Sequence, residues 1–149
     1  GCGSTQKDID ASALAKSLVS DITYDDQLEQ IDEDDVSVYI DVPKKVNTIM
    51  YMGSGSTAEE VAVFTAPDEE TARTTEEKVQ SFLDDQSDSF EKYIPEETKR
   101  ISNAVLEKKG KYVVLCVCGD SDKAKEIIEK AFKYSVVLYF YSHFYCWYY

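Results

Sequence analysis

The chain has 149 residues, 43% of them apolar, enough for one domain to bury a core without a metal or a disulfide framework. Lys and Arg number 16 against 29 Asp and Glu, and a surface with a net charge of −13 repels phosphate backbones, which excludes nucleic acid as a partner. No apolar run is long enough to cross a membrane as a helix, and Cys2, Cys116, Cys118 and Cys146 lack the repeating spacing of a disulfide scaffold.

Residues 1–7 are small and polar and read as a flexible tether. From Asp8 onward Leu14, Ala15, Leu18 and Ile22 recur at helical spacing, with Asp8 or Asp10 available as a cap, which predicts a first helix. The acid-rich stretch from Tyr24 to Asp35 reads as a loop with one helical turn. Val36, Val38 and Ile40 alternate with polar residues as a short edge strand would, stopped by Pro43. Two strands follow, Val46 to Met52 and Val61 to Ala66, joined by the turn-forming run Gly53-Ser54-Gly55-Ser56-Thr57. Pro67 and Asp68 then open a long helix that reaches Tyr93 with Ala72, Val79, Phe82, Leu83 and Phe90 near one face. Pro95 begins a short helical turn carrying Ile101. A second hairpin takes Ala104 to Glu107, the turn Lys108-Lys109-Gly110, and Tyr112 to Cys118. Gly119-Asp120-Ser121 caps a last helix whose buried stripe holds Ala124, Ile127, Ile128, Ala131 and Phe132.

The second half thus repeats the first in outline. Shifting Val61 onto Val113 also brings Asp68 onto Asp120 and Ala72 onto Ala124, through either duplication or shared strand-to-helix geometry. The predicted fold is α+β: two ββα units forming a four-stranded antiparallel sheet with helices packed on one face, plus the N-terminal helix. One domain spans residues 8–133, and residues 134–149 form an aromatic tail.

Three stretches carry a family resemblance: Tyr51 through the Gly53–Thr57 run to Phe64, Phe90-Glu91-Lys92-Tyr93-Ile94-Pro95, and Gly110 to Val117. Together they resemble the domain of unknown function four-three-five-eight, a family of lipoproteins from Gram-positive gut bacteria. The resemblance covers roughly Asp8 to Phe132, and Gly53 to Phe64 is its most specific part. It implies a signal peptide whose cysteine becomes the acylated N-terminus. Gly1-Cys2-Gly3-Ser4 is similar to the end of such a lipobox, making Cys2 the expected lipidation site and the outer face of the cytoplasmic membrane the expected location. The family brings no assigned activity, substrate or catalytic residue.

The tail departs from that family. Tyr134, Tyr139, Tyr141, Tyr145, Tyr148 and Tyr149 surround His143, Cys146 and Trp147 in a segment of strand formers. Three readings stay open: a fifth strand or strip over a sheet edge, a sticky segment for partner, membrane-interface or homo-association contacts, or a non-native tail.

Candidate chemistry is sparse. Cys116 and Cys118 share one strand face, and with His143 and Cys146 they supply four soft ligands for zinc, but without the two-residue cysteine knuckle. The alternatives are buried thiols or a disulfide from either to Cys146. Gly53, Ser54, Gly55, Ser56 and Thr57 invite an anion-cradling reading, yet the loop lacks a P-loop lysine and precedes Glu59 and Glu60, so it reads first as a plain turn. Neither Asp32-Glu33-Asp34-Asp35 nor Asp120-Ser121-Asp122 matches a calcium-binding EF-hand loop. No residues are predicted as catalytic, metal-binding or cofactor-binding, and no cofactor is expected.

These readings converge on a non-catalytic binding or interaction module at the cell envelope. It would meet a protein, peptide or cell-wall component through an open sheet face or the loop Gly53–Thr57, touching the membrane only through the lipid on Cys2. One alternative is a small hydrolase or ligand-processing enzyme, which predicts a deep pocket with a strongly perturbed carboxylate. Another is a structural spacer.

Overall fold

The two most apolar stretches, Val61 to Phe64 and Val113 to Cys116, lie side by side at the centre of an antiparallel sheet in the computed structural model, which describes residues 8–133. They belong to β3 (Glu60–Thr65) and β5 (Tyr112–Val117), in a register that sets Val61 opposite Cys116 and Val63 opposite Val114. β2 (Asn47–Met52) pairs with the other side of β3, and the short β1 (Glu29–Ile31) forms the edge beyond it. β4 (Val105–Lys109) pairs with β5 and forms the opposite edge, giving the order β1-β2-β3-β5-β4.

Side chains alternate between the faces of a strand, so a run that is apolar at every position needs cover on both. On one face Met50, Ala62, Phe64, Val113, Leu115 and Val117 pack against α2 (Glu69–Tyr93) and α3 (Glu97–Ser102) through Ala72, Val79, Leu83, Phe90 and Ile101. On the other, Val61, Val63, Val114 and Cys116 pack against α1 (Ala11–Asp21) and α4 (residues 121–133) through Leu14, Leu18, Ala124 and Ile128. The α+β class, the antiparallel sheet and the N-terminal helix are as expected. Helices on a single face are not: strands buried on both sides require two helical layers, and they leave no open sheet face over the centre.

Two local expectations are also corrected. Residues 36–40 do not form the edge strand, because Glu33–Val38 is a 3-10 helix that buries Val36 while Val38 stays exposed. The edge strand is β1, a fifth strand carried by an acidic stretch. The second hairpin turns later than predicted, with Lys108 and Lys109 paired in β4 and Gly110 supplying the turn at φ +59°. The predicted helix starts hold: Asp10 accepts from the Ala13 amide at 3.0 Å, Asp68 from Thr71 at 2.7 Å and Asp120 from Lys123 at 3.1 Å.

The packing also decides how the two halves are related. A two-fold axis normal to the sheet would exchange antiparallel β3 and β5, and would keep the helix after each on the same face. α2 and α4 lie on opposite faces, so the repeat in the sequence reflects shared strand-to-helix geometry, not a symmetric pair of ββα units.

Candidate functional site

α2 lies over β3, β5 and β4, while the 3-10 helix lies over β2, and a cleft of about 410 Å³ opens between them. Ile31 and Met52 enter it from the sheet, Gln86, Ser89, Phe90 and Tyr93 from the C-terminal half of α2, and Tyr39 from the end of the 3-10 helix. Gly53, Ser54, Gly55, Thr57 and Ala58 complete its wall, with Glu59 and Glu60. Of the loop Gly53–Thr57, all but Ser56 line this cleft.

That loop is not an anion cradle. Asp26 Oδ2 accepts from the Ser54 amide at 2.8 Å, the Ser54 hydroxyl at 3.0 Å and the Ser56 hydroxyl at 3.2 Å, so the donors that would meet a phosphate already hold a carboxylate. The amide and hydroxyl of Ser54 hold the Asp26 carboxyl below its usual range. A Cβ at Gly53 would displace the Asp26 carboxylate from this position, and Gly55 turns the chain at φ +103°.

Glu59 and Glu60 are each 3% exposed, but their surroundings differ. Glu59 accepts from the Asp26 amide at 2.8 Å, the Asp25 amide at 3.0 Å and the Thr57 hydroxyl at 3.0 Å, and lies 3.4 Å from the Arg100 guanidinium. Arg100 also binds Asp25 at 2.7 Å and Glu97 at 3.2 Å, while Glu97 accepts from the Ala58 amide at 2.7 Å. This network ties the start of β3 to α3 and to the segment before β1.

Glu60 has no such support. It shares the inward parity of Ala62 and Phe64 and lies under α2, where its Oε2 atom is buried without a hydrogen-bond partner among the described residues. Burial alone pushes its carboxyl up to about 8, so at neutral pH it is mostly the uncharged acid. A buried carboxylic acid facing a partly apolar cleft can donate one hydrogen bond, accept others, or give up its proton to a cation that replaces it.

Cys116 and Cys118 are free and buried beneath α1 and α4, away from the cleft. The Tyr24 hydroxyl donates to the Leu18 carbonyl at 2.8 Å and lies 3.6 Å from Cys116 Sγ, which clamps the end of α1 onto β5. His143, Cys146, the rest of the aromatic tail and Cys2 lie outside the described residues. Among the described residues no group of three His, Cys, Asp or Glu is placed to hold a metal ion. Glu33 of the acidic run accepts from the Thr48 amide at 2.7 Å, and Asp120 serves as a helix cap. Sequence reasoning missed Asp26, Arg100 and above all Glu60, whose signal was an acid heading an unbroken apolar strand.

A family model described as Domain of unknown function (DUF4358) matches residues 26–118, which include both hairpins, α2, α3 and the cleft. No curated protein and no solved structure matches the chain.

Proposed function

The chain belongs to the DUF4358 family, and from that premise we propose that its domain is a non-catalytic binding module whose ligand enters the cleft above Glu60. The reading includes export and tethering to the outer face of the cytoplasmic membrane through a lipid on Cys2, as the Gly1-Cys2-Gly3-Ser4 pattern suggests. The observation that carries the binding reading is that Glu60, a residue of the cleft wall, has a buried Oε2 without a partner among the described residues. A buried polar atom left without a partner costs about 1–3 kcal/mol, and a bound molecule that supplies the partner gives a reason to keep it.

One observation favours a hydrolase or ligand-processing enzyme instead: a carboxyl raised to about 8 suits proton transfer near neutrality. Such chemistry needs a second reacting group, and the other acid at the cleft, Glu59, is already engaged by two amides, a hydroxyl and Arg100. Binding without turnover is therefore the stronger reading.

A small-molecule fragment library titrated into isotopically labelled protein tests it. Binding should shift the amides of Ile31, Met52, Phe90 and Tyr93 with no change in the fragment, whereas an absence of hits at those positions would remove the cleft as the functional site. The tether is tested separately: lipid labelling and membrane retention of the full precursor should disappear with Cys2→Ala.

A further inference from the structure

We propose that the cleft accepts a primary ammonium group carried on an apolar stem, with Glu60 as its counter-ion. The proposal rests on the cleft being a ligand site and deepens that reading by naming the ligand's chemistry.

Four observations point the same way. Glu60 Oε2 is unpartnered among the described residues, and once the acid has released its proton it is an acceptor that an ammonium group, which brings only donors, can meet. Among the described residues lining the cleft none is Lys, Arg or His, and the chain as a whole carries a charge of −13, so the field favours a cation. Tyr39 and Tyr93 are 44% and 76% exposed at the cleft, and with Phe90 they offer aromatic faces of the kind that attract ammonium groups. The cleft also adjoins the C-terminal end of α2, where backbone carbonyls add negative potential. Ile31, Met52 and Phe90 supply apolar surface for the stem.

Charge balance links binding to pH. In the empty domain Glu60 is protonated. When R–NH3+ enters, the carboxylic acid releases its proton to the buffer, and an N–H···O bond to the carboxylate takes its place. The other titratable groups lining the cleft are Glu59 on the sheet side, Tyr39 on the 3-10 helix and Tyr93 on α2; β1 and β2 present Ile31 and Met52. With a carboxyl that titrates near 8, affinity for an ammonium ligand rises roughly tenfold per pH unit below that point and levels off above it.

Calorimetry in buffers of differing ionisation enthalpy, with hexylammonium, Nα-acetyl-lysine methylamide and neutral hexanamide as probes, tests the proposal. The expected result is binding of an ammonium probe with about one proton released per site near pH 6, and at least a roughly tenfold loss with Glu60→Gln at about pH 8. Binding by hexylammonium alone would support a free amine, and binding by the lysine derivative a peptide side chain. Hexanamide binding without ammonium binding would overturn the cationic ligand yet leave the cleft as a binding site. If no probe shifts the cleft amides, the cationic ligand is overturned, while fragment hits would still sustain the binding reading. Retained secondary structure in Glu60→Gln separates lost binding from lost folding.

Discussion

Two adjacent glutamates, buried to the same extent at the head of the same strand, have opposite fates. Glu59 sits in a ring of donors that locks three segments together, while Glu60, one residue on and on the α2 face, lines the cleft with its Oε2 unpartnered among the described residues. Burial alone does not separate the two acids; the completeness of their hydrogen bonding does. One face of the sheet's end spends its carboxylate on holding the fold, and the other leaves its carboxylate available.

The largest effect should come from breaking the satisfied side. Glu59→Gln removes the charge facing Arg100 and leaves one of the Asp25 and Asp26 amides facing an NH2 group, and should destabilise the domain by roughly 3–5 kcal/mol in urea unfolding, as breaking a buried ion pair does. The unsatisfied side should respond with the opposite sign. Glu60→Met replaces the carboxyl, with its unpartnered Oε2, by apolar atoms and should stabilise the fold by about 1–3 kcal/mol at neutral pH while abolishing ammonium binding. A loss of stability on that substitution would mean that Glu60 is structural after all.

The pH profile sharpens the same contrast. Because the folded-state carboxyl of Glu60 titrates near 8, against an ordinary value of 4.5, the folded protein holds a proton that the unfolded chain has already released. The Glu60 contribution is therefore fully present below 4.5 and is lost as pH rises through about 8, so wild type should lose stability relative to Glu60→Gln across that window. Parallel profiles for the two proteins would show that the carboxyl is not raised. The smallest effect is local: Asp26→Ala frees Ser54 and Ser56, and should speed hydrogen exchange at the Ser54 amide with little change in global unfolding.

Much of this architecture was legible in the sequence because the signals were periodic. Apolar spacing marked α1, α2 and α4, aspartates marked the helix starts, apolar runs marked β2, β3 and β5, and the turn at Gly110 marked β4. The edge strand was not, since Glu29–Ile31 offers one apolar residue in three, and the alternation of Val36, Val38 and Ile40 imitated a strand inside a 3-10 helix. The two helical layers were in principle readable: Val61 to Phe64 and Val113 to Val117 contain no polar position to face water. The loop Gly53–Thr57 was legible as a feature beside the site. Glu60 was not, because only the strand register tells which of two neighbouring acids turns toward α2, and only packing reveals that its Oε2 has no partner among the described residues.

The strand order also bears on how the molecule is made. The central pairing joins β3 to β5, with α2, α3 and β4 lying between them in the chain, so the core closes only after residue 117 is available. Until then β2 and β3 can form a hairpin, but the edge of β3 that β5 covers is open. Such non-local closure slows the folding transition and makes it all-or-none.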